Sequence, residues 1–147
     1  MNHPRTMAEL VVDASALIDV LLDNELGAAV RRRIAGTVLH APAHLDAEVL
    51  SALGRLNRAG VIEDPDVETM LADLEAAPIQ RHPVAGLLLG AWSRRHQLRL
   101  VDAVYVELAT TRGITLITTD RRLRAVGVVE VMHAMPADRP STAPPDT

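Results

Sequence analysis

Leu10-Val11-Val12-Asp13-Ala14-Ser15-Ala16-Leu17 is the stretch that decides the fold. Its first three residues form a short apolar run with two β-branched side chains, which reads as a buried strand. After Asp13 the period changes. Ala16, Leu17, Val20 and Leu21 fall at i, i+1, i+4 and i+5, one stripe of a helix with Asp19 and Asp23 off it. A buried strand that hands an Asp to a helix opens an α/β unit and sets a carboxylate at the C-terminal edge of a sheet.

The alternation continues outward. Ala28 to Ile34 reads as a helix ended by Gly36, and Val38-Leu39-His40-Ala41 as a second strand closed by Pro42. A helix opens near Ala43, runs to about Ala59 and stops at Gly60. Asp64-Pro65 has the form of an N-cap followed by Pro at the first helical position, with Val67, Met70, Leu71 and Leu74 as the apolar face and Pro78 as the breaker. Pro83 starts a further helix in which Val84, Leu87, Leu88 and Ala91 are expected to pack inward. Asp102 to Arg112 is apolar nearly all round, as in a buried helix, and Gly113 caps it. Ile114 to Thr118 is a strand, Asp120 to Ala125 a short helix and Val128 to Met132 a last strand. The pattern predicts one α/β domain with a parallel sheet over residues 1–135. Residues 136–147 hold four of the nine prolines without apolar periodicity, and are expected to be a disordered tail.

Composition narrows the function. The 147 residues contain no Cys, which excludes disulfides and thiolate metal sites and suits a reducing cytoplasm. The N-terminus reads as having no signal peptide and no apolar stretch is long enough to span a bilayer, so the expectation is a soluble cytoplasmic protein with no membrane partner. All fifteen basic residues are Arg, and Trp92 and Tyr105 are the only aromatics among Phe, Tyr and Trp. Two rings are too few for the aromatic platforms on which RRM-like or OB-like modules stack bases, and such a binding mode is not expected. Arg still grips phosphate by bidentate hydrogen bonds, and a net charge of −4 fits an acidic site with local Arg clusters.

Four carboxylates stand at the edges of the most apolar stretches: Asp13, Glu48, Asp102 and Asp120. Asp13 and Asp120 follow strands, Asp102 opens a helix, and Glu48 lies beside the inward stripe of Leu45, Val49, Leu53 and Leu56. Taken singly, each has a plainer explanation. Asp13, Asp102 and Asp120 serve as helix caps, and Glu48 pairs with Arg55 or sits at the solvent edge, with His44 four residues earlier on the same side. Taken together, four carboxylates near a core require a counter-charge, and a hard divalent cation supplies it. Asp19, Asp23 and Asp46 fall on polar stripes and are expected to be solvated. The six His are scattered without close metal-ligand spacing. Arg121 and Arg122, beside Asp120, are weaker candidates for holding substrate phosphate.

The segments Val12-Asp13-Ala14-Ser15, Glu48 with Val49-Leu50-Ser51-Ala52-Leu53, Asp102-Ala103, and Thr118-Thr119-Asp120-Arg121-Arg122-Leu123 resemble, in order and spacing, the acidic motifs of PIN-domain ribonucleases. The likeness is strongest to the VapC toxins of toxin–antitoxin pairs and covers Leu10 to about Met132. It implies a three-layer domain with a parallel five-stranded sheet flanked by helices, a Mg²⁺ or Mn²⁺ site, RNA cleavage, a cognate antitoxin and a homodimer. By that resemblance Asp13 and Asp102 are direct metal ligands, Glu48 and Asp120 act through water, and the Ser15 and Thr118 hydroxyls orient carboxylates. Ser51 departs from the pattern, since many relatives carry Asn there.

Two rival functions are weighed against this. Phospho-acceptor and aspartyl-phosphate chemistry depends on a Lys that the chain lacks. A non-catalytic PIN-like module binding RNA or protein would have no need for all four carboxylates. Nucleotide-binding fingerprints, G-x-G-x-x-G or G-x-x-x-x-G-K-[ST], do not occur.

Overall fold

A computed structural model describes residues 5–135. The expected tail, residues 136–147, lies outside them. Five strands, β1 (Glu9–Val12), β2 (Val38–Pro42), β3 (Ile79–His82), β4 (Thr115–Thr118) and β5 (Val129–Val131), form one sheet in the order β3-β2-β1-β4-β5. All pairings are parallel. The helices are α1 (Ala14–Leu22), α2 (Glu25–Ile34), α3 (Leu45–Arg58), α4 (Asp64–Ala76), α5 (Leu88–Ser93) and α6 (Leu100–Arg112), making the expected three-layer α/β domain. β1 is central, with Leu10, Val11 and Val12 all buried, because an internal parallel strand is covered on both faces.

Asp13 begins α1 as its N-cap, with the side chain accepting from Ala16 N at 3.0 Å. Asn24 caps α2 in the same way, so that helix starts three residues before the expected Ala28. Gly27 sits where α2 crosses α1, and a Cβ there would overlap the Asp19 carbonyl. Gly27→Ala is therefore expected to destabilise the protein by about 2–3 kcal/mol despite alanine's better helix propensity, because backbone cannot yield as a side chain can. The urea midpoint measures this, and an unchanged midpoint would show that α1 and α2 slide apart freely.

Several sequence expectations need correction. Periodicity revealed four strands and missed β3, whose sequence Ile-Gln-Arg-His offers a single apolar residue because it lies at the sheet edge. The helix expected after Pro83 is a 3-10 turn (Ala85–Leu87) followed by the short α5. Leu87 and Ala91 are buried as expected, whereas Leu88 is 55% exposed because the turn rotates it outward. Asp64 lies inside α4 instead of capping it, and its carboxylate accepts from Asn57 Nδ2 at 2.8 Å. A single 3-10 turn (Arg121–Leu123) replaces the expected helix to Ala125.

The histidines are not all scattered. Fully buried His40 on β2 meets His82 on β3 (Nδ1 to Nε2, 2.8 Å) and Glu9 on β1 (Nε2 to Oε1, 2.8 Å). With β3 unread, the register that sets His82 opposite Pro42 was invisible in the sequence. Asp19 and Asp46 are not free in solvent either. Asp19 accepts from Thr119 Oγ1 at 2.6 Å and Asn24 Nδ2 at 2.7 Å, and Asp46 takes a bidentate pair from Arg81. Asp23, mostly exposed, pairs with Arg31 at 2.6 Å.

Candidate active site

In a parallel sheet the carboxyl ends of all strands share one edge, and ligands bind beyond it. β1 ends at Val12 and β4 at Thr118, adjacent strands in register at Val12 and Ile117. Asp13 is thus delivered next to the end of β4. Ser15 Oγ donates to Asp13 Oδ1 at 2.7 Å and Thr118 Oγ1 to Asp13 Oδ2 at 2.5 Å. Each hydroxyl oxygen in turn receives a backbone N–H: Thr119 N reaches Ser15 Oγ at 3.2 Å and Asp120 N reaches Thr118 Oγ1 at 3.0 Å. Ser15 and Thr118 therefore tie the first and fourth carboxylate positions into one rigid corner.

Asp13 is 5% exposed. Burial pushes its carboxyl up to about 6; hydrogen bonds from Thr118, Ala16 and Ser15 oppose the rise, and the negative charge of Asp102 adds to it. The result is an acidic group whose ionised form lacks a sufficient counter-charge.

Glu48 projects from α3 beside the buried Leu45 and Val49. It does not pair with Arg55, which donates to Ser51 Oγ at 2.9 Å. Instead Glu48 Oε1 accepts from Tyr105 OH at 2.7 Å and lies 3.1 Å from His44 Nε2. Asp102 is in the first turn of α6, since the helix begins at Leu100 with Arg99 at the N-cap position. The reading of Asp102 as merely an N-cap therefore fails. Its Oδ2 accepts from Arg99 Nε at 3.0 Å. Asp120 caps the 3-10 turn through Arg122 N and is gripped by the Arg122 guanidinium at 2.6–3.1 Å. That hydrogen-bonded cation holds the Asp120 carboxyl below the usual range.

Asp13, Glu48, Asp102 and Asp120 all line one cleft of about 160 Å³, together with Ser15, Tyr105, Arg55, Arg99 and Arg122. A larger groove of about 570 Å³, lined by Asp46, Leu50, Leu71, Leu74, Glu75 and Arg81, is mostly apolar and holds none of these four groups. Size does not mark the site; the gathered carboxylates do. Of the two Arg singled out beside Asp120, Arg122 enters the cleft, whereas Arg121 faces a different surface beside Asn24, Glu25 and His133. The turn after Asp120 sends consecutive side chains apart.

The oxygen-only donor set suits a hard cation such as Mg²⁺ or Mn²⁺, which takes few carboxylates directly and keeps several waters. Among the described residues no three Asp, Glu or His side chains converge closely enough to hold one ion together. Arg99 and Arg122 instead hold Asp102 and Asp120, and a bound cation would take over part of their role as counter-charge. Arg55 and His44 were noted in the sequence only as neighbours of Glu48 and prove to be cleft and near-cleft residues, whereas Tyr105 and Arg99 are cleft residues that sequence reasoning missed. Of these two, Tyr105 left a usable signal, since a phenol in an otherwise apolar helix needs a partner for its hydroxyl.

A family model described as PIN domain matches residues 10–129. The chain is 55% identical over 116 residues to Ribonuclease VapC3 of Mycobacterium tuberculosis, covering 78% of this chain and 85% of the relative. The crystal structure of Mycobacterium tuberculosis VapC20, described as a Sarcin-Ricin loop cleaving toxin, superposes with a TM-score of 0.64 at 20% identity, covering 84% of this chain and 99% of the other. VapBC2 from Rickettsia felis, solved bound to a DNA fragment from its promoter, gives a TM-score of 0.63 at 9% identity over 85% of this chain and 99% of that one. These two structures speak to the fold.

Proposed function

This chain belongs to the PIN domain family and, within it, to the VapC ribonucleases, and on that premise we propose that it is a toxin whose four-carboxylate cleft hydrolyses RNA phosphodiester bonds with Mg²⁺ or Mn²⁺. The observation that carries this reading is the meeting of Asp13, Glu48, Asp102 and Asp120 in one cleft that also contains Arg55, Arg99 and Arg122. Carboxylates alone suit a cation. The added guanidinium groups suit a polyanion beside it.

When bound, a divalent cation supplies an activated water and neutralises phosphate charge. The chain's own residues do the rest. Asp13 and Asp102 would hold the ion directly, and Glu48 and Asp120 would orient its waters. Ser15 and Thr118 keep Asp13 aimed, because both of its oxygens are engaged from fixed positions. Arg99 and Arg122, 65% and 64% exposed, have guanidinium faces left over for RNA phosphates.

The partners follow from the same reading: RNA as substrate and a cognate antitoxin as inhibitor, acting in the cytoplasm. No helix among the described residues is long and apolar enough to cross a membrane. A homodimer is part of the proposal, and Leu88, Leu89, Trp92, Leu100 and Val101 are the exposed apolar side chains of α5 and α6 that a second copy would cover.

Cleavage of structured and unstructured RNA is expected to require Mg²⁺ or Mn²⁺ and to stop in excess EDTA; full activity with the chelator would overturn the metal-dependent mechanism. In cells, expression without antitoxin is expected to arrest growth, and Glu48→Gln or Asp120→Asn to relieve the arrest. Equal toxicity of variants inactive in vitro would mean that the chain acts by binding alone.

A further inference from the structure

Tyr105 sits within α6, 2% exposed, in a position that Phe would fill equally well by volume. A buried hydroxyl is costly unless paired. Here its partner is charged: Tyr105 OH donates to Glu48 Oε1 at 2.7 Å. His44, one turn before Glu48 on the same helical face, reaches that oxygen with Nε2 at 3.1 Å, and its ring lies 4.7 Å from the Tyr105 ring, centroid to centroid.

The imidazole shows what this arrangement costs. His44 Nε2 faces two acceptors, Glu48 Oε1 and the Val101 carbonyl at 3.3 Å, so the ring proton belongs on Nε2. His44 Nδ1 is then left buried with no partner. Such an orphan is unfavourable, and the ring keeps it while its one donor goes to the Val101 carbonyl and its Nε2 edge stays 3.1 Å from Glu48 Oε1. Among the described residues, nothing is hydrogen-bonded to Glu48 Oε2. One oxygen of a three-torsion side chain is fixed by the Tyr105 donor, with His44 Nε2 packed beside it, while the other stays open, on a residue that lines the cleft. Burial and the Glu48 charge also push the phenol well above its ordinary range, so the hydroxyl remains a donor.

We propose that Tyr105, assisted by His44, is a positioning residue for Glu48: it clamps Oε1 so that Oε2 is presented to the cation and its waters. This rests on the metal-dependent reading of the cleft. It assigns a role in that site to a residue that otherwise belongs to the core.

Tyr105→Phe tests it, because the substitution removes one oxygen and keeps the packing. Three measurements are needed: the Mn²⁺ dissociation constant of the RNA-free protein, kcat and KM for RNA, and the same change in a Glu48→Ala background. Residues that hydrogen-bond to a metal-site carboxylate and hold it in place typically contribute about 10- to 100-fold, so Tyr105→Phe is expected to weaken Mn²⁺ binding and lower kcat by about tenfold or more. KM for RNA should stay near wild type, since no phosphate contact is lost. In Glu48→Ala the additional Tyr105→Phe change should have no further effect, as two groups acting through one interaction are not additive. His44→Gln should move Mn²⁺ affinity in the same direction by less, and it provides the readout if Tyr105→Phe fails to fold. Wild-type Mn²⁺ affinity and kcat in Tyr105→Phe, or an equal loss in the Glu48→Ala background, would overturn the clamp while leaving the nuclease reading intact. Undiminished cleavage by Glu48→Ala itself would remove the reading on which the clamp rests.

Discussion

Asp13→Asn is expected to abolish RNA cleavage and, in the absence of metal, to make the protein more stable. The catalytic loss should exceed the roughly 10- to 100-fold typical of outer-shell partners, because Asp13 is proposed to hold the ion directly. The stability gain follows from burial. With its carboxyl raised from 3.8 to about 6, folded Asp13 binds a proton that the unfolded chain has already lost between those two values. Wild-type stability from this group is thus fully present below about pH 3.8 and is lost as pH rises through about 6. Two pH units correspond to about 2–3 kcal/mol at neutral pH, an upper bound because Asn forfeits part of the hydrogen bonding from Ser15 and Thr118. Asn caps a helix as well as Asp does, so the N-terminus of α1 is preserved and the comparison isolates the charge. Urea unfolding in EDTA should show the variant ahead by about 1–2 kcal/mol at pH 7.5 and the gap closing toward pH 4. A marked loss of stability would mean that the hydrogen-bonded carboxylate is a net stabiliser, and the argument for a missing counter-charge would fail. Asp102→Asn should also abolish cleavage, with little gain in stability, since Arg99 already neutralises it in part.

How much of this was legible beforehand depended on whether a residue's own neighbours in sequence carried the signal. β1, β4 and α6 were readable because burial leaves their apolar residues contiguous, β2 and β5 because short apolar, β-branched stretches mark them, and the parallel architecture followed from alternation with helices. β3 was not, because an edge strand of Ile-Gln-Arg-His has neither alternation nor an apolar run. The four carboxylates could be picked out from the edges of apolar segments, and the cleft gathers all four. Their counter-charges were hidden. Arg99 and Arg122 sit three and two residues from the carboxylates they hold, spacings that on an unknown backbone fit a solvated Arg equally well. Glu48 illustrates the limit most clearly. Its helical face was correct, yet its partner proved to be Tyr105, 57 residues away, and not Arg55 on the next turns of its own helix. Long-range pairs of this kind depend on how α3 and α6 pack, which periodicity does not encode.

The antitoxin is expected to inhibit by placing a basic side chain among the carboxylates of the cleft, so that charge reversal of that one residue weakens inhibition about tenfold or more while the complex persists. The magnitude follows from the charges: a cation lost from beside a buried, incompletely neutralised carboxylate is worth at least the roughly 1.4 kcal/mol that corresponds to a factor of ten. Arg99 and Arg122 show that guanidinium groups can occupy this field, since each already pairs with a cleft carboxylate at 3.0 Å or less. Among the described residues neither Asp13 nor Glu48 is paired with an Arg, so they are the groups an incoming cation would meet. Persistence of the complex requires a second area of contact, and the groove between α3 and α4 lined by Leu50, Leu71 and Leu74 provides one for an amphipathic segment. On its rim Arg81 already pairs with Asp46, which leaves the Glu75 carboxylate for a basic residue of that segment. Cleavage assays with the purified partner, paired with a direct measurement of complex formation, separate the two contributions. If inhibition survives replacement of every basic residue in the docking segment, steric covering of the cleft suffices and charge competition has no part in it.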